Sequence, residues 1–294
     1  MRGLKMSSNL SRIVGNTPLI KISEKIYAKL ETYNPTGSVK DRMVLYVVSR
    51  ARERGDINTN SIFCEATSGN TGIALSSIAA SLNIPCVIFM PSDMSEERRQ
   101  MMSIYGAQII DAPPSDFQAA ISMRDDFISK NKNAWSPLQF SNLDNIECHR
   151  TITAREISAQ VESLGKHWST FIHGSGTGGT IEGIRQYIEQ NPYGEISETK
   201  VYMVVPEESP HGIQGIGDGK DFLADPDKMS GTIIIKTQDA INRAKKFASD
   251  TGILVGISSG ANILASERWV KNNNPDGIVV TMLCDRGERY MSIF

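Results

Sequence analysis

The lysine after Asn34-Pro35-Thr36-Gly37-Ser38-Val39 is the residue of this chain whose setting could make it a nucleophile. The proline fixes φ and biases Asn34 toward extended geometry, and Gly37 admits backbone angles that other residues resist. Ser38 then reads as the N-cap of a helix in which Val39, Met43, Val44, Val47 and Val48 recur at helical spacing. Lys40 would stand in the first turn, where the positive end of the helix dipole disfavours a cation and its pKa would tend to fall. A neutral amine is a nucleophile. Taken alone, Lys40 fits a solvated surface lysine better, since lysines are mostly exposed; three later loops change that balance.

The first, Thr67-Ser68-Gly69-Asn70-Thr71-Gly72, offers closely spaced N–H groups, hydroxyls and a helix N-terminus, which suit a carboxylate or phosphate and equally a capped turn. The second, Gly174-Ser175-Gly176-Thr177-Gly178-Gly179-Thr180, follows an apolar strand and opens a helix, which makes it an anion cradle. It satisfies GxGxxG at Gly174, Gly176 and Gly179, with Glu207 as a candidate ribose-binding acid, so an NAD-dependent oxidoreductase remains open. The hydroxyls of Ser175, Thr177 and Thr180 suit a terminal monophosphate better than a buried pyrophosphate, and with no Lys before Thr180 a Walker A loop is excluded. The third, Gly256-Ile257-Ser258-Ser259-Gly260, presents hydroxyls and no carboxylate, or simply caps a helix.

These loops must be positioned by strands and helices. Strand-like runs at 19–22, 26–30, 61–64, 85–90, 108–111, 169–173, 201–205, 233–236 and 277–283 alternate with helical patterns at 71–82, 95–105, 116–130, 151–164, 237–251 and 261–272, and a further helix runs from the 174–179 loop to Glu189. The segment 207–226 is rich in Gly, Pro and Asp and reads as loop. Repeated strand-loop-helix units predict an α/β fold of two domains with mostly parallel sheets flanked by helices, whose ligands gather at the carboxyl ends of strands.

At 294 residues the chain is long enough for two domains, and a net charge of −2 with scattered Lys and Arg gives no electrostatic case for nucleic acid. Cysteines at 64, 86, 148 and 284 form no CxxC, and the four histidines are not clustered, so neither a metal site nor a disulfide framework is expected. His149, His167, His173 and His211 read as structural or surface residues, and Trp135, Trp168 and Trp269 as packing. The polar start, Met1 to Asn9, lacks a secretory core, no apolar run suits a membrane span, and a cytoplasmic location is expected.

The four motifs in this order resemble the pyridoxal-phosphate-dependent cysteine synthases, or O-acetylserine sulfhydrylases. The likeness extends from Ile13-Val14-Gly15-Asn16-Thr17-Pro18-Leu19 through Met94 to Arg99 and Gln139-Phe140 to the ending Cys284 to Ser292, which is most similar to the B-type enzymes. It implies the type II fold of this cofactor class, similar to the tryptophan synthase β subunit. Its domains would be 32–143, with a mobile substrate-binding subdomain, and 1–31 with 144–294, the larger, holding the cofactor phosphate. It implies Lys40 as the residue that carries the cofactor and then acts as general base, Asn70 on the pyridine 3-oxygen, and Gly176, Thr177, Gly178, Gly179 and Thr180 on the phosphate. Ser258, in preference to Ser259, would meet the ring nitrogen, and Thr67, Ser68, Gly69, Thr71 and Gln139 would hold the amino-acid carboxylate. The implied reaction replaces the acetoxy group of O-acetyl-L-serine by sulfide or thiosulfate through an α-aminoacrylate, in a homodimer, with serine acetyltransferase or a sulfur carrier as conceivable partners. Related outcomes stay open: O-phosphoserine sulfhydrylase, cystathionine β-synthase or serine/threonine dehydratase. Two departures, Asn142-Leu143-Asp144-Asn145 and Thr153-Ala154-Arg155, are expected beside the substrate, Arg155 or Lys220 would suit a phosphorylated serine, and the loop 207–219 is shorter than in the A-type enzymes.

Overall fold

The computed structural model describes residues 10–67, 69–192, 195–217 and 223–294. Ser68, Lys220 and the segment before Leu10, all weighed above, lie outside the described residues. In chain order the elements are α1 (Leu10–Ile13), β1 (Leu19–Lys21), β2 (Ile26–Leu30), α2 (Lys40–Arg54), β3 (Ile62–Ala66), α3 (Asn70–Leu82), β4 (Cys86–Pro91), α4 (Glu96–Ile104), β5 (Gln108–Ala112), α5 (Phe117–Lys130) and β6 (Ala134–Trp135). There follow α6 (Asp144–Cys148), a π-helical turn His149–Thr153, α7 (Ala154–Ser163), β7 (Trp168–Gly174), α8 (Gly179–Glu189), β8 (Lys200–Pro206), β9 (Gly231–Ile235), α9 (Thr237–Thr251), α10 (Ile257–Asn273) and β10 (Ile278–Leu283). Short 3-10 turns fill several connections.

The chain divides into two compact units, one made of residues through Val14 with Asn34–Asp144, the other of Gly15–Tyr33 with Asn145–Phe294. The first unit holds a parallel four-stranded sheet in the order β5-β4-β3-β6. β4 is buried at every position, as expected of a central parallel strand covered on both faces. On one side Met43, Val44, Val47 and Val48 of α2 pack with Ile73, Ala74 and Leu75 of α3, and on the other Cys64 and Ala66 meet Ala120 of α5. Each large aliphatic side chain taken out of water there contributes about 1.5–3 kcal/mol. Burial also pushes the Cys64 and Cys86 thiols up to about 12, so both remain protonated packing groups at neutral pH.

The second unit carries a six-stranded sheet ordered β1-β2-β10-β7-β8-β9, parallel except for the β1–β2 pair. Both sheets and their flanking helices give the α/β architecture of mostly parallel sheets anticipated from the repeated strand-loop-helix units. Trp168 and Trp269 pack edge-on or tilted against Phe171 and Tyr202, and Trp135 against Phe63 in the first unit. Three local expectations are corrected. The 151–164 helix begins earlier, at Asp144, and passes through the π-helical turn; Ala134–Trp135 is a short strand beside β3; and the Gly256–Gly260 segment is not a turn, since α10 already starts at Ile257. Residue 260, inside that helix, is glycine because a Cβ there would sit 2.1 Å from the Ala240 carbonyl oxygen of α9.

Candidate active site

Lys40 is the first residue of α2 and is partly buried. The turn before it is closed by the Gly37 N–H donating to the Asn34 carbonyl at 2.8 Å, with Gly37 at φ 82°, a left-handed value that glycine adopts without strain. The buried Asp41 carboxylate accepts from the Thr36 N–H at 2.7 Å and from the Thr36 hydroxyl, so the turn is clamped to the helix it feeds. Ser38 is not the N-cap. Val39 holds that position with helical angles, and Asp41 and Arg42 donate to the Ser38 and Val39 carbonyls, both at 3.3 Å. These i→i+3 bonds satisfy the helix entry, while the Ser38 hydroxyl accepts from Lys40 N–H at 3.3 Å.

In the same unit Thr67 and Gly69 end the loop after β3, and the Thr67 hydroxyl accepts from the Gly69 N–H at 3.3 Å. Asn70 opens α3, and buried Thr71 donates its hydroxyl to the side-chain carbonyl of Gln139 at 2.6 Å across 68 residues of sequence. Thr67, Thr71 and Gln139 are thus all buried polar groups around one helix N-terminus. Glu65, at the end of β3, escaped the sequence reading: its fully buried carboxylate pairs with Arg124 of α5 at 2.8 Å and accepts from the Gln139 N–H at 3.3 Å. Its signal, an acid in an apolar strand immediately before a loop motif, is weak without knowledge of its partners.

The second unit contains the glycine loop, which opens α8. Gly178 sits at φ 87°, and a Cβ there would lie 2.4 Å from the Ala224 nitrogen; a Cβ on Gly176 would lie 2.6 Å from the Gly215 carbonyl oxygen. The carbonyls of Ser175 and Thr177 accept from Gly217 and Leu223, at 2.8 and 2.7 Å. Thr177 Oγ1 accepts from both Asn145 Nδ2 (3.0 Å) and the Gly179 N–H (3.3 Å), which leaves its own proton available to an acceptor. Asn145 is also why residue 179 is glycine: a Cβ would meet its Oδ1 at 2.1 Å. Thr180 Oγ1 lies 3.3 Å from His149 Nε2, and His149 Nδ1 lies 2.9 Å from Thr153 Oγ1. Asn145 and Thr153 therefore lead toward the glycine loop. His149, read from sequence as a bystander, belongs to that support.

Ser258 is the second residue of α10, and Gly215, whose carbonyl touches the glycine loop, would bring a Cβ 3.7 Å from its Oγ. Asn262, one turn on, accepts the Gly174 N–H at 2.8 Å, tying α10 to the start of the loop. Ser259 is turned elsewhere, its hydroxyl accepting from the Cys284 N–H at 2.9 Å. The described residues contain no group of acidic, His and Cys side chains able to hold a metal, and no helix among them is long and apolar enough to cross a membrane.

A family model described as pyridoxal-phosphate dependent enzyme matches residues 10–285. The chain belongs to the pyridoxal-phosphate dependent enzyme family. Within this family it is similar to the probable cysteine synthase of Bacillus subtilis (strain 168), 34% identical with 98% of this chain and 97% of the relative covered. It is also 34% identical to cysteine synthase B of Campylobacter jejuni, covering 98% of each. A crystal structure of a hydrogen sulfide-producing enzyme from Fusobacterium nucleatum superposes with a TM-score of 0.89 at 36% identity, over 97% of this chain and 90% of that one. Pyridoxal 5'-phosphate is the cofactor of this family, and the glycine loop fits its phosphate. Ser175 keeps a buried hydroxyl with no hydrogen-bond partner among the described residues, and the loop's glycines pack so closely that the helix N-terminus is presented by bare backbone.

Proposed function

We propose that this protein is a cysteine synthase, a transferase of cysteine biosynthesis that replaces the acetoxy group of O-acetyl-L-serine by sulfide. The observation that carries this reading is its end-to-end similarity, at 34% identity, to the two bacterial cysteine synthases. The dinucleotide reading of the 174–179 loop loses its support, because that loop opens a helix within a pyridoxal-phosphate enzyme match covering 10–285.

Bound pyridoxal phosphate would supply an electron-withdrawing ring that acidifies the α-carbon of the amino acid. The chain's residues do the rest. Lys40 Nζ holds the cofactor, then takes the α-proton and returns it to the same carbon. Gly176, Thr177, Gly178, Gly179 and Thr180 grip the phosphate, and Asn70 donates to the ring's 3-oxygen. Thr67, Ser68, Gly69, Thr71 and Gln139 hold the substrate carboxylate, for which the Thr71–Gln139 bond is the best support: it fixes the amide so that its NH2 lies opposite Thr71. This segment would be the part of the 32–143 domain that moves on substrate. The larger domain would comprise 1–31 and 144–294. Ser258 faces the ring nitrogen, a role favoured by the engagement of Ser259 with Cys284.

A hydroxyl at that nitrogen leaves the ring unprotonated and a weak electron sink, which suits elimination of acetate. Ser258→Asp should hold it protonated, slow cysteine formation by about tenfold or more and raise side products of the amino acid. Ser258→Ala should be milder. Chromatography of products from O-acetylserine and sulfide decides it, and the same loss from Ser259→Asp with Ser258→Asp unaffected would move the contact to Ser259.

The purified protein should be yellow and its visible spectrum should shift on adding O-acetylserine; a colourless protein that gains no cysteine-forming activity with the cofactor would overturn the reading. The entrance segment 207–219 is short, so a donor larger than sulfide, such as thiosulfate, should also turn over. Steady-state assays showing sulfide alone as donor would remove that part. We place the enzyme in the cytoplasm, consistent with four buried cysteines that form no disulfide. We expect a homodimer, whose interface would cover exposed apolar side chains such as Leu143 or Met291; sedimentation velocity measures it. Serine acetyltransferase or a sulfur carrier would be its protein partners.

A further inference from the structure

Glu65 is a carboxylate placed where a parallel strand ordinarily buries an aliphatic side chain, and its partners are Arg124 of α5 and the main chain of Ala66 and Gln139. One oxygen accepts from Arg124 Nη1 at 2.8 Å and from the Ala66 N–H at 2.9 Å; the other accepts from the Gln139 N–H at 3.3 Å. Arg124, itself buried, is also held by Asp125 at 2.8 Å. Burial pushes the Glu65 carboxyl above its ordinary range, against the pull of Arg124 and of the two main-chain donors. An acid kept in the core at that cost is retained for geometry more readily than for stability, since a buried ion pair is weak evidence of a net stabilising interaction.

A second observation lies one residue before the Gln139 N–H. Leu138 has φ 50°, in the left-handed region that a branched apolar side chain avoids, and its carbonyl takes two further bonds, from Ser141 N–H at 2.9 Å and Asn142 N–H at 3.0 Å. The chain is bent sharply at Leu138 and pinned on both sides of the bend. The Glu65 carboxylate is the pin on the Gln139 side.

We propose that Glu65 is a positioning residue for the amino-acid substrate: clamped by Arg124, it holds the Gln139 main chain across the left-handed Leu138 and so aims the amide that meets Thr71 at the substrate carboxylate. The proposal rests on the reading that Thr71 and Gln139 bind that carboxylate. It makes a strained bend and a buried ion pair parts of substrate recognition.

Glu65→Gln is the direct test. Its one carbonyl would be drawn to Arg124 and Ala66, which leaves its NH2 against the Gln139 N–H, donor to donor. A spectral titration of the cofactor-loaded enzyme with O-acetylserine should show the dissociation constant raised about tenfold or more. Cofactor content and the KM for sulfide should stay within about twofold of the parent, a split that a merely structural role would not produce. Leu138→Gly, which removes the strain, should bring the Glu65→Gln rise down to about threefold. An unchanged titration, a parallel loss of cofactor and sulfide affinity, or no rescue by Leu138→Gly each overturns the proposal. If Glu65→Gln does not fold, Arg124→Gln loosens the clamp from α5 and should raise the same constant about threefold or more, an unchanged value again counting against it. Gln139→Ala separates the two levels. If it leaves the titration unchanged, the carboxylate site is elsewhere and both readings fall; if it weakens binding while Glu65→Gln does not, only this one falls.

Discussion

Lys40→Ala should abolish cysteine formation, lowering kcat by at least about 10³-fold, because the nitrogen that holds the cofactor and the base that moves the α-proton are one atom. The fold should survive. Lys40 is partly buried at a helix start whose geometry is set by its neighbours: the Gly37–Asn34 turn, the Asp41 clamp on Thr36 and the main-chain bonds to Ser38 and Val39. The variant should therefore melt within a few degrees of the parent while losing turnover. Borohydride reduction of the parent, which fixes the cofactor to the lysine that carries it, followed by peptide mass spectrometry, should mark Lys40. A mark on any other lysine would show the assignment to be wrong.

Gly178→Asp should cost nearly as much, at a different step. The residue has φ 87°, and a Cβ would lie 2.4 Å from the Ala224 nitrogen and 2.9 Å from that of Leu223, so any side chain strains the loop. That strain costs of order 1–3 kcal/mol, and Gly178→Ala measures it alone. The aspartate adds a negative charge to the loop proposed to hold the phosphate dianion; unit charges about 4 Å apart repel by about 4 kcal/mol at an effective dielectric near 20. Fluorescence titration of the apoprotein should accordingly show cofactor affinity lower by about 10²-fold or more for the aspartate, and clearly less for the alanine. Equal cofactor retention in Gly178→Asp and the parent would take the phosphate away from this loop and return the dinucleotide reading to contention.

What could be read from sequence was what the chain writes locally. The glycine loop, the Thr67 to Gly72 loop and the Lys40 turn each carry their information within a few residues, as turn formers, hydroxyls and a helix start. Two helix starts misled for the same reason. Ser38 has a capping side chain, but the helix entry is closed by main-chain bonds; Gly256 to Gly260 has turn composition, but Gly260 answers to the close approach of α9, a contact no local pattern encodes. Residues whose meaning lies in distant partners were illegible: Asn145 bonds Thr177 32 positions on, and Glu65 reaches Arg124 and Gln139 across 59 and 74. Asn145 stood inside a segment noticed only for its departures. His149 was passed over because its partners are hydroxyls, which give no metal or triad spacing.

The position of β10 has a consequence for how the polypeptide is made. The strand latest in sequence order within its sheet lies between β2 and β7 in the middle of that sheet, with Leu283 opposite Leu30. β2 is buried at all five positions in the finished fold, yet its second neighbour, β10, emerges only after about 250 further residues, on the order of 10–50 s at ordinary translation rates. The four strands at 62–66, 86–91, 108–112 and 134–135 have no such wait, since all their partners come off the ribosome within one continuous stretch. Nascent chains are thus exposed longest through the β1–β2 hairpin, and a nonsense codon anywhere before Ile278 leaves that hairpin without the strand that covers its edge.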